Sequence, residues 1–413
     1  MTISLSSLNL LLFSFMIFSA SMLQENNYLM KISFVTLILS LIMASKNDII
    51  KMIDKIKISK TFFVYLIIYV LFLSFLYFSI FLNSAYNSFS DQVWKSTYLN
   101  ILIILVSYVF GKKLTLKYFR FLILFVLMGF CIESLYVFLT HSSGRALGFG
   151  GILQLGQDTT FILIISLSYI SYNRYYNFKY KFFIFLIVFL FFYGLYATGS
   201  RAPVVGLFIS FIFVYFTLIR KISILNSIKI FFYLFLTILV LYFSILQFQT
   251  QVNSIFNPLE DNSNSARLVS DIVLLKMFNN SPFFGTGLGS FESLKDVYMP
   301  SIIGSPIMDT VGVPHNMYLG ILSEAGIFVF LLYSYIMIKP IFIYKRLFNN
   351  FRHKNFSYIF LGLMGFLIIY NIDSLFHNYY TQNFIWIVIG FGYGLLANRK
   401  LIEVKNNEYI KNY

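Results

Sequence analysis

Apolar runs close to membrane length recur along the whole chain, separated by short polar turns, with one exception: residues 248–314 form a long polar interruption. A helix rises 1.5 Å per residue, so about 20 residues cross a hydrocarbon core of about 30 Å. A backbone in lipid must satisfy its own hydrogen bonds, so the runs predict spanning helices. Twelve are predicted, at 3–23, 28–44, 62–82, 96–111, 119–139, 158–172, 182–197, 203–219, 230–247, 316–338, 357–374 and 382–397. The expected fold class is an all-α polytopic membrane protein, with residues 1–413 as a single integral membrane domain and 248–314 as its one large loop. Within that loop Leu268, Ile272 and Leu275 fall at i, i+4 and i+7 and predict a short amphipathic helix over 265–279. Asn264 or Ser263 is placed to cap it and Pro282 to end it. Such a helix is expected to lie on the membrane surface or to cover a cavity. No internal repeat of fixed period is visible.

Composition agrees. Hydrophobic residues make up 59% of the chain and charged residues only 11%, against about 25% charged in soluble domains. The net charge of +15 first suggests an anionic partner. Its distribution suggests otherwise. With both termini in the cytoplasm, all but seven of the 31 basic residues fall on inward segments; the outward seven are Lys31, Lys95, Arg145, Arg201, Arg267, Lys276 and Lys295. That is the positive-inside pattern, so the charge is topological and no nucleic-acid partner is expected. The first segment has no basic start and no convincing small-residue cleavage site, and is read as a retained helix. Cys131 is the sole cysteine, which excludes an intramolecular disulfide and a cysteine-based metal site.

Outward arginines oppose the topological bias and need another reason. Three stand in polar outward loops, two of them beside glycine: Gly144-Arg145-Ala146, Gly199-Ser200-Arg201-Ala202-Pro203 and Ser265-Ala266-Arg267. Arg201 lies in a tight turn between two apolar helices. It is either an anchor at a lipid headgroup or a planar fork facing phosphate or carboxylate oxygens. The large loop is not generically basic: Arg267, Lys276 and Lys295 face Glu260, Asp261, Asp271, Glu292, Asp296 and Asp309. An anion bound there needs a specific arginine. Arg267 is expected in the first turn of the loop helix, where the helix dipole does not help a cation. Gly285-Thr286-Gly287-Leu288-Gly289 neither follows a strand nor opens an obvious helix, which argues against a dinucleotide site. His315 follows Pro314 at a predicted helix start, and a free imidazole titrates near pH 6.5, where proton transfer at neutral pH needs it. Glu324 lies about 13 Å further down the same helix, where a carboxylate must be paired or wet. With Glu133, Asp158 and Asp373 it points to a polar, outward-open cavity; a structural role for Glu324 is the alternative.

Three segments resemble the shared core of the O-antigen ligase and polymerase superfamily. They are Ala197-Thr198-Gly199-Ser200-Arg201-Ala202-Pro203; Ser265-Ala266-Arg267 followed by Ser281-Pro282-Phe283-Phe284-Gly285-Thr286-Gly287-Leu288-Gly289; and Pro314-His315-Asn316-Met317-Tyr318-Leu319 with Glu324-Ala325-Gly326. Their order and spacing match across roughly residues 190–335. The resemblance implies a metal-independent, cofactor-free membrane glycosyltransferase of the GT-C type. Its donor would be an undecaprenyl-diphosphate-linked oligosaccharide. Arg201 and Arg267 would hold the diphosphate, His315 would activate or position the acceptor hydroxyl, and Arg145, Glu324, Asn316 and Tyr318 would line the substrate site. His315-Asn316 is followed by Gly326 at the ligase spacing, but Val329 departs from the ligase pattern. That departure, with the Phe-, Ile-, Tyr-, Asn- and Lys-rich composition, favours a repeat-unit polymerase (Wzy type) over a ligase acting on lipid A–core. A polymerase would sit in the bacterial inner membrane with a periplasmic site, among membrane lipid and with a chain-length regulator (Wzz type) as partner. The rival class is a lipid-linked oligosaccharide flippase, which internal repeats and a midplane site would mark.

Overall fold

A computed structural model describes residues 58–83, 88–114, 131–140, 152–172, most of 193–218, 262–299, and 314–398 apart from 353, 355 and 378–383. The expected spans at 3–23, 28–44 and 230–247 lie outside the described residues, as do most of 182–197, the first part of 119–139, Arg145 and Arg201.

Among the described residues every regular element is helical. In chain order they are α1 Lys60–Leu82, α2 Ser88–Lys113, α3 Cys131–Thr140, α4 Ile152–Tyr172, α5 Ala202–Leu218, α6 Asn262–Asn280, α7 Phe291–Tyr298, α8 Met317–Asn350, α9 Ser357–Asp373 and α10 Phe384–Leu396. Seven of the predicted spans coincide with α1, α2, α4, α5, α8, α9 and α10, and α3 falls within an eighth apart from its last residue. α1 and α8 are long and apolar enough to cross a membrane, and α3, α5, α9 and α10 are shorter apolar helices.

Small residues let these helices approach closely, as they do where lipid removes the hydrophobic drive between helices. α10 lies against α2, where a Cβ on Gly390 or Gly394 would meet the Ile104 or Tyr108 carbonyl oxygen at 2.3 Å. α9 packs against α4, α5 and α8, and the Ser210 hydroxyl donates to the Gly365 carbonyl at 2.9 Å. One apolar core runs through α1, α2, α4, α5, α8, α9 and α10. The outer faces expose Phe81 (72%), Phe216 (63%), Phe63, Phe213, Leu331 and Phe342, an apolar periphery that lipid can cover.

The loop helix differs from expectation in two ways. α6 begins at Asn262, so Asn264 and Ser263 lie inside its first turn and Arg267 falls in the second. The predicted stripe Leu268, Ile272 and Leu275 is exposed, whereas Ala266, Val269, Val273, Leu274 and Met277 form the buried face, packed with Phe291 of α7 and Leu319 of α8. α8 runs past its predicted end, through Pro340, and is broken at Gly326 (φ 83°, ψ 175°).

Candidate functional site

The break at Gly326 leaves backbone groups of α8 without helical partners, which lipid cannot satisfy. The loop after α6 supplies them. Thr286 N–H donates to the Ser323 carbonyl at 3.0 Å and Gly287 N–H to the Glu324 carbonyl at 2.8 Å, while Ile327 N–H donates to the Pro282 carbonyl at 3.0 Å. The Ser79 hydroxyl of α1 adds a 2.9 Å bond to the Glu324 carbonyl. Gly285 and Gly326 both have positive φ, and a Cβ on either would strike the other strand of the junction at 2.2 Å. The Glu324 side chain is wholly buried and its Oε1 accepts the Phe291 N–H at 2.9 Å; the Gly289 N–H also bonds this carboxylate. Glu324 thus tethers the start of α7 to α8, and the glycine-rich run is a structural joint.

This joint sets α6 against the N-terminal end of α8, where His315 and Asn316 lie. Asn316 caps α8: its Oδ1 accepts the Leu319 N–H at 3.1 Å. The same side chain bonds Asp271, four residues after Arg267 on α6. Tyr318, the second residue of α8, donates to Asn371 Oδ1 on α9. Of the residues expected to line the substrate site, Asn316 and Tyr318 bond other residues of the protein, and Glu324 is held through its Oε1.

Arg267, Asp271 and His315 are each half-buried, and they share one electrostatic environment. Burial raises the Asp271 carboxyl to about 6, although the Asn316 hydrogen bond and the Arg267 guanidinium oppose the shift. Burial also lowers the His315 pKa, and the Arg267 guanidinium and the His377 ring lower it further. His315 is accordingly neutral at pH 7. Met317 N–H donates to the Ser374 carbonyl at 3.0 Å, which fastens the start of α8 to the end of α9. There His377 Nδ1 meets Asp373 Oδ1 at 3.0 Å, and Asp373 Oδ2 accepts from Gln157 Nε2 of α4 at 3.1 Å. The structure thus unites Arg267 with His315 and adds Asp271, His377 and Gln157, which the sequence reading had not selected.

The turn into α5 is described up to Ser200. Its Thr198 hydroxyl accepts the Ser200 N–H at 3.1 Å and donates to the Leu195 carbonyl at 2.7 Å. Pro203 packs on α4 at Gly156, where a Cβ would lie 3.1 Å from the proline ring, next to Gln157 in the chain. The described residues around Arg201 therefore adjoin α4, whose Gln157 bonds Asp373 of α9.

Residues 184–334 match a family model described as O-antigen ligase. Over that stretch the chain is similar to the O-antigen ligase and polymerase superfamily. The matched stretch holds α5, α6, α7 and the N-terminal half of α8, and so Arg267, Asp271, His315 and Glu324; Asp373 and His377 lie beyond it. A comparison with curated proteins finds no match. The superfamily covers polymerases and ligases alike, both glycosyltransferase-like enzymes, and does not favour a flippase. The apolar helices are those of a helical membrane protein, in keeping with that similarity.

Proposed function

We propose that this protein is an O-antigen polymerase, an inverting GT-C-type glycosyltransferase with about twelve spans. It joins undecaprenyl-diphosphate-linked repeat units into polysaccharide at the periplasmic face of the inner membrane. The observation that supports this most is the meeting of Arg267, from the large outward loop, with His315 at the mouth of α8. Glycosyl transfer from a diphosphate builds negative charge on the leaving group, and a preorganised guanidinium stabilises that charge most as it develops. Arg267 is assigned to the diphosphate, with Arg201 and Arg145 as further phosphate contacts. An incoming diphosphate favours the neutral form of Asp271, whose carboxyl sits near 6 already, and so leaves the guanidinium to the phosphate oxygens. Neutral His315 positions the acceptor hydroxyl for in-line attack. Asn316, Tyr318 and Glu324 keep this mouth in shape. The reaction needs neither metal nor cofactor, and a Wzz-type chain-length regulator is the expected partner.

Arg201→Ala, Arg267→Ala and His315→Ala in a complemented deletion strain are expected to abolish the lipopolysaccharide ladder while the protein still inserts. Normal ladders from all three variants would end the proposal. Ligase activity on lipid A–core is the second reading, supported by the His315-Asn316 to Gly326 spacing.

A further inference from the structure

Asp373 is fully buried at the outer end of α9, and both its oxygens are engaged: Oδ1 by His377 Nδ1 at 3.0 Å, Oδ2 by Gln157 Nε2 at 3.1 Å. These contacts are not needed to close α9. Ser374 N–H already bonds the Tyr370 carbonyl at 2.9 Å, Leu375 N–H the Ile372 carbonyl at 3.1 Å and Phe376 N–H the Asp373 carbonyl at 2.9 Å. A buried carboxylate behind an imidazole has another use. It fixes ring orientation and tautomer, and it offsets the charge that proton uptake places on the ring. With Nδ1 turned to Asp373, Nε2 is the proton-exchanging nitrogen. The ring belongs to the same mouth as His315, because the Met317–Ser374 backbone bond joins their two segments. The two histidines differ in what stands beside them. His315 neighbours the Arg267 cation, which disfavours proton gain; His377 has an acid behind it.

We propose that His377, oriented by Asp373 and Gln157, accepts the proton of the acceptor hydroxyl during glycosyl transfer, while His315 positions that hydroxyl. The inference rests on the glycosyltransferase reading above. The acceptor oxygen forms a bond to the anomeric carbon and its proton passes to His377 Nε2. The bond from that carbon to the diphosphate oxygen breaks, and its electron pair leaves with the diphosphate, against Arg267. Asp373 and Gln157 are positioning residues.

The test uses full-length protein purified in detergent and lipid-linked glycan extracted from cells lacking this gene. His377→Ala is expected to lower kcat by about 10²–10⁴-fold. KM for the donor should stay within about twofold, since only transition-state proton transfer is lost. Added imidazole should restore part of the rate. Asp373→Asn should lower kcat less, and imidazole should not restore it. If His377→Ala does not accumulate, His377→Asn replaces it, with an amide donor near the Nδ1 position and no proton-accepting nitrogen. Wild-type kcat in the variant, or a loss that imidazole leaves unmoved, overturns the assignment to His377. Absence of polymer from the wild-type protein overturns the glycosyltransferase reading instead.

Discussion

Arg267 and Asp271 lie four residues apart, as do Asp373 and His377, and each pair brings two ionisable side chains together. In the proposed role Arg267 meets the diphosphate as a planar fork, so Arg267→Lys should be nearly as damaging as alanine, a loss of about 10²–10³-fold in kcat. Near-normal polymerisation by that variant would reduce Arg267 to a point charge. Asp271 makes a stability prediction. Its folded pKa of about 6 is raised, so its contribution is complete below the unfolded value near 4 and is lost as pH rises through 6. The melting temperature should therefore contain a component that falls between about pH 4 and 6 and disappears in Asp271→Asn. His315 has a lowered pKa, so its neutral form should persist below pH 6.5 and polymer formation should hold as pH falls from 7 to 6.5. Arg267 and His315 were legible in the sequence because each breaks a background, one of outward neutrality and one of apolar helix. Asp271 was legible only as loop charge. The Asp373–His377 spacing was visible, but its meeting with Gln157, 216 residues away, is tertiary and left no local trace.

Among the elements, α8 shows best how far hydropathy reaches. Its apolar run predicts one straight span, and an isolated glycine in such a run is compatible with unbroken helix. The break at Gly326 follows instead from the loop that docks there, whose N–H groups replace the lost helical bonds. Broken helices also occur in transporters, where they line a cavity; here protein fills the gap. Gly326→Ala should reduce accumulation sharply, because a positive φ costs a non-glycine residue about 1–3 kcal/mol and the added methyl meets the Phe283 carbonyl. The role of Glu324 is separable from chemistry. Glu324→Gln keeps an oxygen for the Phe291 N–H and should retain most activity, whereas Glu324→Ala leaves that buried group unmet at about 1–3 kcal/mol. Loss of activity in a well-folded Glu324→Gln would return this residue to the substrate site. For α6 the sequence period identified a helix but not its buried side, since both faces carry apolar residues.

Across the whole molecule, the distribution of lysine and arginine predicts the orientation on which the proposed site depends. In a Cys131→Ser background, Asp296→Cys on α7 should react with a membrane-impermeant maleimide in spheroplasts, whereas Lys345→Cys on α8 should react only after lysis. The reverse pattern would put Arg267 and His315 on the cytoplasmic side. Among the described residues the helical architecture was readable from run length, while the way α4, α6, α8 and α9 bring Gln157, Arg267, His315 and Asp373 together depends on packing that no single run encodes. The most direct measurement supplies the purified protein with undecaprenyl-diphosphate-linked repeat units and nothing else. Polymer that forms in the wild type and is lost in Arg267→Ala is the predicted result. Product only when lipid A–core is added would make the protein a ligase, and polymer that survives Arg267→Ala unchanged would contradict the diphosphate site.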